Sequence, residues 1–130
     1  MLVDDDNISS FIYRKIIEMA GLDISHLKTF LKGQEALEHL VNNLDSLEDF
    51  PDFILLDINM PVMDGWGFLD EYSANIAPKL KKRVVICMLS SSVNVKDRER
   101  AFSYKEVKDY ANKPLTSTEL EKLITTHFTD

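Results

Sequence analysis

Aspartates gather at the front of this chain and recur once at its middle. Asp4, Asp5 and Asp6 follow the short apolar stretch Leu2-Val3, and Asp57 directly follows Phe53-Ile54-Leu55-Leu56. Ser90, Ser91 and Ser92 end a third apolar run, over residues 84–89, and Lys113 with Pro114 follows the last strand-like segment, over 107–111. Each has an ordinary explanation. An aspartate after a strand is commonly a turn former or helix cap, and Asp6 suits that role. Serines cap helices, and one of the three is expected to cap the next one. A lysine is commonly solvated. Taken together, the groups form a reactive set. Clustered carboxylates repel, which drives at least one toward its neutral form. A hard cation relieves this, and Mg²⁺ in particular takes one or two carboxylates, keeps waters and uses phosphate oxygens for the rest. Asp5 and Asp57 suit that donor set. Lys113 and the Ser90 hydroxyl offer donors to a charged phosphoryl group. An ionised aspartate can accept such a group as an acyl phosphate, a transfer that needs chiefly positioning and charge neutralisation.

The elements that must position these groups alternate in type. A stub of strand over residues 1–3 precedes a helix capped at Asn7 or Ser9 and running to about residue 20, where Gly21 stops it. Ile8, Phe11, Ile12, Ile16 and Met19 make one stripe of that helix and are expected to face the core. A weak strand at about 26–31 follows, then a helix after Gly33 carrying Ala36, Leu37, Leu40, Val41 and Leu44. The run 53–56 reads as a strand buried on both faces. A loop through Asn59, Pro61 and Gly65 leads to a helix over about 66–76, ended by Pro78. A strand at 84–89, a polar helix at 94–104, a strand at 107–111 and a helix at 117–128 complete the chain. Strand and helix alternate throughout. This predicts an α/β fold, a parallel sheet with helices on both faces, and such sheets bind ligands at the carboxyl ends of their strands. Those ends are where the aspartates, Ser90 and Lys113 stand.

Composition narrows the function classes. The chain has 130 residues, 45% hydrophobic and 28% charged, the profile of a single globular domain spanning 1–130. With 22 acidic and 15 basic residues its net charge is −7, a poor match to nucleic acid. No apolar run is long enough to span a membrane, and the acidic N-terminus lacks the basic start of a signal peptide. These features point to a cytoplasmic protein. The single cysteine, Cys87, lies in an apolar run and reads as a small buried hydrophobe. His26, His39 and His127 have no partners at metal-binding spacing, with His127 expected at the surface. The cations Lys79, Lys81, Lys82 and Arg83 read as a solvated loop.

Four segments carry a family resemblance. Leu2-Val3-Asp4-Asp5-Asp6-Asn7, Ile54-Leu55-Leu56-Asp57-Ile58-Asn59-Met60-Pro61-Val62-Met63-Asp64-Gly65, Met88-Leu89-Ser90-Ser91-Ser92 and Asp109-Tyr110-Ala111-Asn112-Lys113-Pro114 resemble the receiver domain of two-component response regulators along essentially the whole chain. The resemblance implies a flavodoxin-like, doubly wound five-stranded parallel sheet in the order 2-1-3-4-5 with five helices. It implies Asp57 as phosphoacceptor, Mg²⁺ held by Asp5, by Asp57 and by the backbone carbonyl of Asn59, and Asp4 helping through water. It also implies Lys113 as a phosphoryl contact and Ser90 and Tyr110 as a switch pair. The implied partners are a sensor histidine kinase or histidine phosphotransfer protein and a downstream protein target. Because no output domain follows residue 130, a stand-alone receiver is expected.

The sequence departs from the family in three places. The first strand has only residues 1–3 before Asp4, the segment 42–51 is longer than is common, and position 91 is Ser rather than Ala or Gly. Other readings stay open beside the switch: a phosphorelay carrier, and a pseudo-receiver that binds without being phosphorylated. An aspartyl-phosphate phosphatase of the haloacid-dehalogenase type is disfavoured. It would need an acid two residues after the nucleophile, where this chain has Asn59.

Overall fold

A computed structural model of the chain describes residues 1–128. Its elements are β1 (Leu2–Val3), α1 (Asn7–Met19), β2 (Thr29–Phe30), α2 (Gly33–Asn42), β3 (Phe53–Asp57), α3 (Gly65–Asn75), a 3-10 turn (Ala77–Lys79), β4 (Val85–Ser90), α4 (Val95–Phe102), β5 (Val107–Asn112) and α5 (Ser117–Phe128). The strands form one sheet in the order β2-β1-β3-β4-β5, and every neighbouring pair is parallel. This is the expected flavodoxin-like topology.

Successive side chains on a strand point to opposite faces, so a strand between two helical layers is apolar throughout. Ile54 and Leu56 of β3, with Ile86 and Met88 of β4, join a core with Leu37, Leu40, Phe68, Leu69 and Tyr72 of α2 and α3. Leu55, Cys87 and Leu89 face the other way, toward Tyr13, Ile17, Leu120 and Leu123 of α1 and α5. Cys87 is buried among them, and burial pushes its thiol up to about 12. No helix among the described residues is long and apolar enough to cross a membrane.

The helix ends follow their capping chemistry. Of the candidates Asp6, Asn7 and Ser9, it is Asp6 that caps α1: its carboxylate accepts from the Ile8 N–H at 2.9 Å and from the Ser9 hydroxyl at 3.1 Å. These bonds, the Ile8 N–H foremost, hold Asp6 below the ordinary carboxylate range. Asp64 caps α3 through the Gly67 N–H at 2.9 Å. Thr116 caps α5: its Oγ1 accepts from the Glu119 N–H at 3.1 Å, and its hydroxyl donates to the Glu119 carboxylate at 3.0 Å. Asn94 caps α4, so none of the three serines does.

Three further expectations are overturned. The stripe Ile8, Phe11, Ile12 and Met19 of α1 faces solvent, and Ser10, Tyr13 and Ile17 face the sheet. Residues 13, 16, 17 and 20 make a second apolar face on the opposite side of the helix, and that face packs against the sheet and α5. The basic segment is not a free loop. Lys81 pairs with Asp45 at 2.8 Å, Lys82 pairs with Asp52 at 3.1 Å and donates to the carbonyls of Leu47 and Phe50, and Arg83 donates to the His127 carbonyl. Lys81 and Lys82 pin the long connection between α2 and β3, and Arg83 ties the start of β4 to the end of α5. His127 is half-buried and pairs through Nε2 with Asp109 at 2.9 Å, tying the end of α5 to β5.

The short β1 has its flanking ladder bonds supplied by Met1. The Met1 ammonium donates to the Phe53 carbonyl at 2.8 Å, and the Met1 carbonyl accepts from the Leu55 N–H at 2.9 Å. Burial, opposed by Asp52, brings this amine down to about 5.

Candidate functional site

The carboxyl ends of β1, β3, β4 and β5 meet at one place, and the fold carries a named side chain to it from each. Asp4 and Asp5 follow β1, Asp57 is the last residue of β3, Ser90 the last of β4, and Lys113 follows β5. Asp4, Asp5 and Asp57 each offer a carboxylate oxygen within 4.8 Å of the others. Asp4 and Asp57 are buried and Asp5 is exposed.

One ammonium holds the buried pair together. Lys113 Nζ lies 3.1 Å from Asp4 Oδ2 and 3.1 Å from Asp57 Oδ1. Burial raises the Asp57 carboxyl above its ordinary range, Lys113 pulls the other way, and Asp4 adds to the rise. Burial lowers the Lys113 ammonium, but the attraction of Asp57 and Asp4 outweighs it and the net shift is upward. Three hard oxygen donors with one open, solvent-facing member fit a hard divalent cation of the Mg²⁺ class. Soft-metal ligands are absent from the set.

Backbone bonds fix the surrounding loops. Asp4 Oδ1 accepts from the Asp6 N–H at 3.0 Å, and Asp57 Oδ1 accepts a long bond from the Asn59 N–H at 3.4 Å. Asn59 is exposed at the rim. Ser90 is fully buried; its Oγ accepts from the Ser92 N–H at 2.9 Å and its carbonyl from the Lys113 N–H at 2.8 Å. Tyr110 pairs in register with Met88, so its ring lies below the carboxylates rather than among them. That ring is already buried, and its Oη has no hydrogen-bond partner.

Three contributors had no assigned role in the sequence. Asn112 donates to the carbonyls of Ser92 and Ser90, at 2.6 and 3.4 Å, and so ties the β4–α4 loop to β5. Tyr13 lies on the buried face of α1, where burial raises its hydroxyl while Lys113 opposes and Asp4 and Asp57 add to the rise. An odd polar-tipped residue on the inner helix face was the available signal. Gly65 starts α3 so close to β3 that a Cβ there would lie 2.8 Å from the Asp57 carbonyl oxygen and 2.8 Å from Ile58 Cα. Trp66, next to it, is buried rather than at the mouth. Its ring stacks on Tyr104 with centroids 6.3 Å apart and lies under the Arg100 guanidinium at 4.4 Å.

Known proteins resemble the chain in both sequence and shape. The family described as "Response regulator receiver domain" matches residues 1–125. The transcriptional regulatory protein PrrA of Mycobacterium leprae is 32% identical over 120 residues, covering 92% of this chain and 45% of that protein. The hybrid signal transduction histidine kinase L of Dictyostelium discoideum is 30% identical over 128 residues, 95% of this chain and 7% of that protein. The chain thus spans less than half the length of these curated relatives. Among solved structures, a two component response regulator from Cytophaga hutchinsonii superposes with a TM-score of 0.86 at 32% identity, covering 99% of this chain and 95% of that one. A response regulator receiver protein from Dyadobacter fermentans gives 0.82 at 30% identity, covering 99% and 96%. With five parallel strands in this order and aspartates at the ends of the first and third, the chain belongs to the response regulator receiver domain family.

Proposed function

We propose that this receiver accepts a phosphoryl group on Asp57 from a phosphohistidine of a sensor kinase or phosphotransfer protein. The observation that carries this reading is the Lys113 ammonium, 3.1 Å from both Asp57 and Asp4 at the strand ends. In the transfer, an Asp57 carboxylate oxygen attacks phosphorus, the P–N bond breaks and the imidazole leaves. Lys113 is placed to neutralise charge on a phosphoryl oxygen, and the Ser90 hydroxyl supplies a second donor once it leaves the Ser92 N–H. Asp5, Asp57 and the Asn59 carbonyl would hold Mg²⁺, with Asp4 behind them through water. The ion supplies charge neutralisation for the phosphoryl oxygens.

A protein donor and a protein target both need a surface. The outward apolar stripe of α1 begins with Ile8, immediately after the loop that carries Asp5 and Asp6, and so continues from the site. We assign it to the phosphodonor. Signal output runs through Ser90 and Tyr110. A buried hydroxyl without a partner is unfavourable, so an outward Tyr110 whose Oη meets water is the state that competes with the inward one. The family role is that of a signalling phosphoacceptor in the cytoplasm rather than an enzyme acting on a separate substrate.

Intact-mass measurement tests the acceptor. With acetyl phosphate and Mg²⁺ the protein should gain one phosphoryl group, and Asp57→Asn should gain none because an amide is not a nucleophile. Equal labelling of the variant, or labelling that ignores Mg²⁺, refutes the assignment.

A further inference from the structure

Asn112 is the last residue of β5 and pairs in register with Ser90. Asparagine is depleted in strands, and this residue is exposed, so neither strand preference nor packing accounts for it. Its amide does. Nδ2 lies 2.6 Å from the Ser92 carbonyl oxygen and 3.4 Å from that of Ser90, and two acceptors on one side fix the amide as a donor there. The Ser90 carbonyl already accepts from the Lys113 N–H at 2.8 Å. The short bond to Ser92 is therefore the distinctive one.

A closed ring of bonds results. Ser90 Oγ accepts from the Ser92 N–H at 2.9 Å, the Ser92 carbonyl accepts from Asn112, and Asn112 is bound back to Ser90 through the β4–β5 ladder. Core packing does not hold this loop: Val93 and Val95 just beyond Ser92 are exposed and join neither core cluster. To meet a phosphoryl oxygen on Asp57, the Ser90 hydroxyl has to move. With Asn112 in place, Ser92 is anchored to β5 and cannot follow, so its N–H loses its acceptor. With that amide removed, Ser90 and Ser92 can move together and keep their bond.

We propose that Asn112 is a positioning residue that acts through Ser92 to hold Ser90 back from the acceptor, and so sets the threshold at which a phosphoryl group moves the β4–α4 loop. The proposal deepens the phosphoacceptor reading above and rests on it. A ligand shifts a two-state element only by its differential affinity for the two states. One hydrogen bond on the resting side of that balance weakens phosphoryl binding by about fivefold.

The experiment titrates beryllofluoride with Mg²⁺ into wild type, Asn112→Ala and Asn112→Thr by calorimetry. Threonine favours a strand, which secures the fold, while its hydroxyl ends one bond short of the amide nitrogen. Both variants should bind about fivefold more tightly than wild type. In a Ser90→Ala background, where no hydroxyl moves, Asn112→Ala should change affinity by less than about twofold. Weaker or unchanged binding in either folded variant overturns the proposal; weaker binding would mean that Asn112 prepares the loop for the phosphoryl group. An equal gain in the Ser90→Ala background also overturns it, since the effect would then bypass Ser90. Loss of the fold in both variants does so too, because the tie would then be structural. A wild type that binds no beryllofluoride sinks the phosphoacceptor reading instead, and the proposal falls with it.

Discussion

Two glycines in the first turn of α3 should respond oppositely to the same substitution. In open space, alanine in place of a helical glycine gains up to about 1 kcal/mol. At Gly65 the added Cβ meets the Asp57 carbonyl oxygen and Ile58 Cα, both at 2.8 Å, where ordinary contact starts at 3.4 Å. Both obstacles are backbone, and Ile58 is tied to β4 through the Leu89 carbonyl at 3.1 Å. The start of α3 must therefore retreat by roughly 0.6 Å. Overpacking of this kind costs about 1–3 kcal/mol, and a rigid obstacle places it at the upper end. Net of propensity, Gly65→Ala should lose about 1–2 kcal/mol, or about 4–8 °C in midpoint. At Gly67 the nearest atoms are Met63 Cγ at 3.3 Å and Asp64 Oδ1 at 3.7 Å, side-chain atoms rather than backbone and both farther off than at Gly65. Gly67→Ala should hold stability or gain about 0.5 kcal/mol. Urea denaturation at constant m-value measures both. Labelling of Asp57 by acetyl phosphate should slow only in Gly65→Ala, because that retreat moves the loop beside the acceptor. A Gly65→Ala protein as stable as Gly67→Ala would refute the steric argument.

Three further outcomes follow from the site and its supports. Lys113→Met leaves Asp4 and Asp57 buried without their cation, a loss of about 3 kcal/mol in urea at neutral pH, at the low end for a broken buried pair because Lys113 is 21% exposed. The deficit should shrink with added Mg²⁺, and also as pH falls through the raised Asp57 pKa, since protonation there removes uncompensated charge; an undiminished midpoint refutes the pairing. Burial depresses His39, with Lys28 adding to the effect and Asp49 opposing, so the unfolded chain binds its proton more readily. Stability should therefore decline as pH drops below the ordinary value of 6.5, and His39→Gln should flatten that slope in thermal scans. Beryllofluoride should change Trp66 emission, because that ring is wedged against Tyr104 and Arg100 beyond β4, and Ser90→Ala should abolish the change; an identical response in the variant removes Ser90 from the switch.

The strand ends were legible because chemistry and topology spoke together. Residues 53–56 are apolar on both faces, as a buried strand must be, so the charged residue that ends the run, Asp57, marks the carboxyl end of the strand. The first polar residue after the apolar run likewise located Ser90, whereas Lys113 was placed only by following the half-polar last strand, and the strand order followed from the family resemblance. The face of α1 was not legible. Residues 8, 11, 12 and 19 satisfy helical periodicity as well as 13, 16, 17 and 20 do, and periodicity cannot say which stripe meets the sheet. The serines misled for a local reason: Ser90 and Ser92 spend their hydroxyls on the turn ahead of α4, which leaves the capping to Asn94. Lys81 and Lys82 found partners far along the chain in the α2–β3 connection, and His127 found one on β5. Spacing along a sequence carries no trace of such pairs.

The outward stripe of α1 also bears on how the protein behaves when concentrated. Ile8, Phe11, Ile12 and Met19 offer a sticky strip to any neighbour. Near neutral pH, mutual repulsion from a net charge of −7 keeps copies apart. Acidification protonates carboxylates and erases that repulsion while leaving the strip intact. Clouding on mild acidification, worsened by salt and cured by Phe11→Lys, is the colloidal behaviour that this helix face imposes.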